Sequence, residues 1–144
     1  MATALVLNGH MDTKSKGELS EAKVVAKLME LGYTVSEPRG EYCRYDLIVD
    51  DGDLQRIQVK TGRVRDKCVR FNTSDTRSNR TGSRKRFYTK EDIEAFVVYC
   101  PDNNQFYWIP IEDAPKHEMR LRIEESDSVY GSYGNTNWAE SYQI

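Results

Sequence analysis

Apolar residues recur with helical spacing near the start of the chain. At about 100° per residue, the segment 15–31 places five apolar side chains on one arc and polar side chains on the other: Ala22, Val25, Ala26, Leu28 and Met29 form the apolar set. Gly32 follows this segment, which predicts that the helix ends there. Glu21 lies four residues before Val25 and seven before Leu28, so the spacing puts its carboxylate on the buried face of the helix.

Short apolar runs after the helix predict strands rather than further helices. Turn residues at 50–53 and 101–104 join two pairs of these runs into hairpins, and Glu112 to Pro115 forms another short turn. The predicted strands cover 33–36, 42–49, 54–61, 69–72, 93–100, 105–111 and 119–123. One helix with several strands favours a single α/β domain with a central mixed β-sheet flanked by helices.

Alternation along the first hairpin decides which polar side chains lie together. Successive side chains of a strand point to opposite faces, which places Tyr45 and Leu47 on one face and Asp46 on the other. In the returning strand, Gln58 and Lys60 are neighbours on one face. Asp46, Gln58 and Lys60 therefore meet on the hairpin, and the helix carrying Glu21 is expected to pack against the sheet beside them.

Three further segments carry polar or aromatic residues without a clear period. The segment 73–86 is polar and basic, and it is predicted to be a mobile loop. Aromatic side chains of the second hairpin, Phe96, Phe106 and Trp108, are expected to pack in the core or at an interface. Residues 126–144 form a C-terminal tail, with Trp138, that packs on the domain or lies at an oligomer interface. Residues 1–10 resemble a leader left by a cloning vector, because Gly9, His10 and Met11 are adjacent.

Composition narrows the class of protein. The chain has 144 residues, a mass of 16.7 kDa and a mean hydropathy of −0.73, which predicts one domain with a heavily charged surface over residues 11–125. No apolar run approaches the ~20 residues of a membrane-spanning helix. The three cysteines are far apart and show no CxxC spacing, which argues against a disulfide framework or a zinc finger. We therefore expect a cytoplasmic, reducing environment.

The net charge of −2 hides an uneven distribution. Residues 60–86 contain ten Lys and Arg against two Asp, a local net charge of +8, so the rest of the chain carries −10. A basic face on an acidic body is typical of a phosphate-binding protein. The candidate DNA-binding residues are Arg63, Arg65, Lys67, Arg70, Arg77, Arg80, Arg84, Lys85 and Arg86.

The convergent polar residues suggest a metal site. Mg²⁺ is typically held by one or two carboxylates, with water and phosphate oxygens completing the octahedron. Asp46 is the first candidate ligand, Glu21 the second, and Gln58 offers a neutral carbonyl oxygen. Lys60 is placed to hold the attacking water and to stabilise charge on a scissile phosphate.

Four sequence segments resemble the PD-(D/E)XK nuclease superfamily, and in particular its small archaeal and intron-associated homing endonucleases, related to Holliday junction resolvases. The segments are KGELSE from Lys16, LGYTV from Leu31, RYDLIV from Arg44 and IQVKTGR from Ile57. The resemblance implies a restriction-endonuclease-like core and a phosphodiesterase that uses Mg²⁺, for which Mn²⁺ can substitute. It also implies that Glu21, Asp46, Gln58 and Lys60 occupy the four active-site positions.

Two positions depart from the family pattern. Tyr45 stands in place of the motif's proline, and Gln58 stands in place of the usual Glu or Asp, which removes one ligand charge. The predicted function is endonucleolytic cleavage of DNA, either site-specific, as in homing enzymes, or structure-specific, as in junction resolvases. The alternatives are a catalytically weak or inactive DNA-binding module on the same fold and a protein interaction domain. Cutting both strands with one small domain calls for a homo-oligomer, at least a dimer.

Overall fold

The computed structural model describes residues 10–125 and 136–144. One α-helix, α1, covers Thr13–Glu30. Asp12 caps its first turn by accepting a 2.8 Å hydrogen bond from the Ser15 N–H. Leu31 closes the helix, and Gly32 follows with a φ of +90°, a conformation that favours glycine. No helix in the described ranges is long and apolar enough to span a membrane.

The buried face of α1 differs from the predicted one. Ser20, Val24 and Leu28 are buried, whereas Ala22, Ala26 and Met29 from the predicted arc are exposed. The buried face is rotated relative to the predicted one because Ser20 lies in the interior, where its hydroxyl shares a 2.6 Å hydrogen bond with Thr61 Oγ1. A satisfied polar group can lie on a buried face at little cost.

In the described residues, ten strands accompany the helix. In chain order they are β1 Thr34–Ser36, β2 Leu47–Asp50, β3 Leu54–Thr61, β4 Arg63–Arg65, β5 Cys68–Asn72, β6 Ser74–Asn79, β7 Gly82–Phe87, β8 Ala95–Cys100, β9 Gln105–Pro110 and β10 Glu118–Arg122. The central sheet has the order β1-β2-β3-β8-β9, and only its β3–β8 pair is parallel. The predicted single α/β domain with a mixed central sheet is confirmed.

The two faces of the central sheet are covered by different layers. α1 packs on one face through a cluster that includes Val24, Leu28 and Ile57. The opposite face bears a cluster that includes Phe71, Phe96 and residues of a three-stranded sheet of order β10-β5-β4. The second layer is thus a β-sheet, and in the described part of the chain α1 is the one α-helix that flanks the central sheet.

The strand predicted over 42–49 begins only at Leu47. Just before this strand, the Asp46 N–H donates a 2.8 Å hydrogen bond to the Ile57 carbonyl. The Val59 N–H, which would pair with the backbone of a longer strand, donates instead to the Asp46 side chain. The chain turns away from β3 at this point. Tyr45 consequently packs on the cluster with Phe96, opposite to Leu47, and not on the same face as predicted.

The predicted mobile loop 73–86 is a two-stranded ribbon, here called the basic ribbon. It consists of β6 and β7, which pair from Ser74 with Phe87 to Asn79 with Gly82 around a turn at 80–81. Its side chains are exposed on both faces apart from Ser74 and Arg86, which are partly buried. Because neither face is apolar, hydrophobic periodicity gives no sign of the strands.

The last residues of the chain lie along the edge strand β9. Trp108 N–H donates to the Tyr142 carbonyl at 2.8 Å, and Ile144 N–H donates to Phe106 at 3.1 Å. These bonds cover an edge that would otherwise expose unpaired backbone groups. The remaining tail residues 126–135, with Tyr130 and Tyr133, and the predicted leader residues 1–9 lie outside the described part of the chain.

Gly62 connects the two sheets and is closely surrounded. A Cβ atom there would lie 2.9 Å from Val69 Cγ1, 3.1 Å from Val98 Cγ1 and 3.3 Å from Cys100 Cβ, all in the buried cluster. Gly62→Ala is therefore expected to lower the free energy of unfolding by about 1–3 kcal/mol, as overpacking does. Urea denaturation measures this, with Gly17→Ala as the matched control.

Gly17 lies within α1, where an added Cβ meets nothing within 4 Å. Alanine should raise stability at that helical position by roughly 0.5–1 kcal/mol. A Gly62→Ala variant as stable as the unaltered protein, measured beside Gly17→Ala, would contradict the close packing around Gly62.

Candidate active site

Asp46 lies at the entrance to β2 and is held by the neighbouring strand. Its Oδ2 accepts a 3.0 Å hydrogen bond from the Val59 N–H, and its own N–H is bonded to the Ile57 carbonyl. These two contacts fix the orientation of the carboxylate and leave Oδ1 free of any hydrogen bond within the described ranges. A fixed carboxylate with an open oxygen is suited to bind a cation.

Gln58 and Lys60 lie on the same face of β3, beside Asp46. In the parallel register they are aligned with Phe96 and Val98, whose side chains belong to the cluster away from α1. Both side chains are partly buried. Lys60 Nζ donates to the Ser74 carbonyl at 3.3 Å, while the Gln58 amide has no hydrogen-bond partner in the described part of the chain. Gln58 and Lys60 are therefore neighbours on one face of β3, as the alternation of side chains along the strand predicts.

Glu21 approaches the same region from α1. The hydrogen bond between Ser20 and Thr61 attaches this part of the helix to the end of β3. Glu21 is partly buried, and the charge of Asp46 acts on it. Glu21 thus lies close enough to Asp46 for the two charges to interact, although α1 packs on the sheet face opposite to the one that carries Gln58 and Lys60.

Burial and nearby negative charges perturb the ionisation of these groups. Burial raises the pKa of Glu21, and the negative charges of Asp46, Glu37 and Glu18 add to that effect. Burial also raises the pKa of Asp46, and the charge of Asp75 adds to this, against the hydrogen bond from Val59 and the charge of Lys60. Both carboxylates are therefore harder to ionise than solvent-exposed acids.

Lys60 shows the complementary shift. Burial lowers the pKa of its ammonium group, and the negative charges of Asp75 and Asp46 partly restore it. A lysine of this kind has a weakened hold on its proton and a reduced water shell. Because its water shell is reduced, such an ammonium group is expected to interact strongly with a phosphate placed next to it.

The donor set fits a hard divalent cation with few protein ligands. Among the described residues no three His, Cys, Asp or Glu side chains form a cluster that could hold a metal ion. Two carboxylates, Glu21 and Asp46, with the Gln58 carbonyl oxygen match the way Mg²⁺ is bound, since water and phosphate oxygens supply its other ligands. This donor set does not suit zinc, which prefers His and Cys ligands.

The nine candidate DNA-binding residues fall into two groups. Four lie on or between β4 and β5, where Arg63 is paired with Glu118 at 3.3 Å and Arg70 with Asp66 at 2.6 Å. In that first group Lys67 Nζ also lies 3.5 Å from the Glu125 carbonyl, and Arg65 is exposed. The second group lies on the basic ribbon and consists of Arg77, Arg80, Arg84, Lys85 and Arg86.

The second group is the better candidate for binding phosphates. Across the described ranges none of these five cations has an ion pair or a hydrogen bond. Arg77 lies directly opposite Arg84 in the ribbon register, and like charges in such a pair are unfavourable without an anion. Arg77, Arg84 and Arg86 line a shallow cavity of about 670 Å³ on one face.

Sequence reasoning missed three residues that surround Lys60. Asp75 at the base of the basic ribbon acts on Lys60 and Asp46 through its charge. Arg44 and Tyr88 lie next to each other beside the same lysine. Arg44 opens the RYDLIV segment but carries no signal of this contact, and no spacing could have found Tyr88, which lies 28 positions beyond Lys60.

Comparisons with known proteins identify the family and the fold. The family described as PD-(D/E)XK endonuclease matches residues 11–144. Protein 5.3 of Escherichia phage T7 is 37% identical over 86 residues, which are 57% of this chain and 70% of the phage protein. The fold is similar to that of a bacterial homing endonuclease, I-Ssp6803I, with a TM-score of 0.72, 24% identity, and coverage of 92% of this chain and 89% of that chain.

Proposed function

Because the chain belongs to the PD-(D/E)XK endonuclease family, we propose that it cleaves DNA phosphodiester bonds in a reaction that depends on Mg²⁺. The observation that carries the proposal is the placement of Asp46, Gln58 and Lys60 on one face of β3 and its neighbour, with Glu21 at the sheet edge. Mn²⁺ is expected to substitute for Mg²⁺, since both ions accept oxygen ligands.

The protein's own groups have distinct parts in this reaction. Asp46 and Glu21 would hold the cation, and Gln58 would orient it through a neutral oxygen. A bound divalent cation supplies positive charge at the phosphate and lowers the pKa of water. Lys60 would orient the attacking water and stabilise the negative charge that grows on the phosphate oxygens during in-line displacement.

The proposed substrate is duplex DNA with a specific sequence. The structurally similar protein is a homing endonuclease, and a two-stranded ribbon fits the major groove, where base edges can be read. A panel of linear duplex, four-way junction, flap and single-stranded DNA tests this directly. Preferred cleavage of the four-way junction would favour the junction-resolvase type instead.

Two active sites are needed to break both strands in one encounter, and we propose that the active form is at least a dimer. Light scattering at working concentration, combined with a count of double-strand breaks per encounter, tests this. A monomer that makes such breaks would contradict it.

Gln58 stands where the family pattern has Glu or Asp, and this supports a second candidate function, that of a DNA-binding module with little or no catalytic turnover. Gln58 brings no charge, so the cation would depend on two carboxylates. Calorimetric titration of the protein with Mg²⁺ and with Mn²⁺ separates the candidates. DNA binding together with no metal binding at millimolar concentration would favour the module.

The basic ribbon is expected to supply most of the salt-dependent DNA affinity. Each phosphate contact contributes a slope of roughly −0.9 in log affinity against log salt. Replacing Arg84, Lys85 and Arg86 by alanine should flatten that slope by up to about three contacts' worth. DNA affinity measured over a salt series checks this.

The matched control is a variant in which Lys14, Lys27 and Lys90, which all lie outside residues 60–86, are replaced by alanine. It also loses three positive charges. This control should leave the slope close to that of the unaltered protein. If the ribbon variant and the control behave alike, the DNA-binding face lies elsewhere.

A further inference from the structure

Tyr88 follows the basic ribbon and brings its ring close to two cationic side chains. Lys60 Nζ lies 5.2 Å from the ring centroid, and Arg44 Cζ lies 4.2 Å from it. Both distances are within the ~6 Å over which a cation is attracted to an aromatic face. Tyr88 is partly buried, so water screens these contacts less than on an open surface.

The ring of Tyr88 is held by its surroundings. It packs edge-on against Phe96, with 5.4 Å between ring centroids and 82° between planes. Phe96 is fully buried and is aligned with Gln58 in the sheet. The position of the ring is therefore set by the core of the domain and not by the lysine.

Arg44 is anchored in the same way. Its Nη1 donates to Asp92 Oδ2 at 2.9 Å and to the Phe87 carbonyl at 2.7 Å. Asp92 in turn accepts the Thr89 N–H at 2.9 Å, which closes the turn that follows Tyr88. The guanidinium and the turn together keep Tyr88 beside Lys60.

Lys60 has few other restraints. Within the described part of the chain it has no carboxylate within 4 Å, and its one hydrogen bond is to the Ser74 carbonyl at 3.3 Å. An ammonium group has three N–H donors on a flexible four-carbon side chain. Contact with an aromatic face restrains the ammonium without occupying any of these donors.

We propose that Tyr88 is a positioning residue for Lys60. The ring restricts the lysine side chain to the orientation in which Nζ faces the active site, and two N–H donors stay free for water and phosphate. This inference rests on the proposed function, in which Lys60 acts on the scissile phosphate. It assigns to Tyr88 no contact with the substrate.

The contact itself is tested by NMR on the DNA-free protein, which requires no activity. The Lys60 Hε resonances should be shifted upfield by the ring and should show cross-relaxation to the Tyr88 ring protons. Tyr88→Phe should keep both signals, and Tyr88→Leu should lose the upfield shift. A wild-type protein without cross-relaxation between these groups would overturn the proposal even if no variant folds.

Cleavage measurements then test the consequence for catalysis. Tyr88→Leu should reduce kcat about tenfold, the scale of a partly buried cation–π contact, with unchanged DNA affinity. Tyr88→Phe should restore kcat, because the ring is what matters. Tyr42→Leu is the matched control, since it removes a tyrosine ring that is 97% exposed and contacts no cation or aromatic ring among the described residues.

The outcomes separate the two proposals. An unaltered protein that cleaves no DNA contradicts the proposed function, while the NMR result still decides whether the ring holds the lysine. A Tyr88→Leu variant with full kcat, or a Tyr88→Phe variant as impaired as Tyr88→Leu, would overturn the positioning role.

Discussion

Asp46→Asn is expected to abolish DNA cleavage, with a loss of at least about a thousandfold, while the protein stays folded. Asparagine can still accept the hydrogen bond from the Val59 N–H that orients the side chain, but it removes the charge that a divalent cation needs. Single-turnover cleavage in Mg²⁺ measures the loss, and Asp46→Ala should behave in the same way. Unchanged cleavage by either variant would refute the assignment of Asp46.

Stability should move in the opposite direction from activity. Burial raises the pKa of Asp46 in the folded protein, so the folded state favours the protonated form. The ionised side chain therefore costs stability at neutral pH, and none below the unfolded pKa of about 3.9. Without metal, Asp46→Asn should be the more stable protein near pH 7, and the difference should vanish in acid.

Asp53→Asn is the matched control for these measurements. Asp53 is exposed in the turn between β2 and β3, and its carboxylate makes no hydrogen bond in the described ranges. Its substitution should leave cleavage unchanged. A similar loss of cleavage in both variants would point to total charge and not to the site.

Lys60→Met is the second variant expected to lose nearly all activity. Methionine keeps most of the aliphatic length and fits beside the Tyr88 ring, but it cannot orient water or stabilise charge on a phosphate. Because burial lowers the pKa of Lys60, removing this charge should not destabilise the fold. Cleavage should fall by at least about a hundredfold at unchanged melting temperature.

Lys14→Met controls for the loss of one positive charge, since Lys14 is exposed at the start of α1. DNA affinity should change little in either variant if the basic ribbon provides most phosphate contacts. A Lys60→Met protein that still cleaves at the normal rate, with Lys14→Met as a reference, would exclude Lys60 from the reaction.

The central hairpin could be predicted because it is determined by residues that lie close together in the sequence. Strict alternation in β3 puts Gln58 and Lys60 on one face, and the turn at 50–53 sets β2 beside it. Helical spacing predicted Glu21 on the buried face of α1, whereas Glu21 is only partly buried, because the true buried face is rotated from the predicted one. The rotation arises from Ser20 and its bond to Thr61, which a count of apolar residues does not detect.

The remaining features depend on contacts between distant segments. The basic ribbon has no apolar face, so its strands carry no hydrophobic signal, and backbone pairing alone defines them. The layer opposite α1 could not be identified as a sheet, because β4 is three residues long and, among the described residues, pairs with β5 alone. Tyr88 lies 28 positions beyond Lys60 in the sequence, and their contact depends on the path of the segment between them.

The two ends of the basic ribbon are attached to the active site at separate points. The Ser74 carbonyl accepts the Lys60 ammonium and the Phe87 carbonyl accepts the Arg44 guanidinium, whereas, among the described residues, the turn at 80–81 makes no hydrogen bond to either side chain. On the proposed function, the tip can therefore exchange side chains, and so acquire new target sequences, without disturbing the two contacts at the base. A graft of a foreign ribbon into this domain should preserve 74–75 and 86–88.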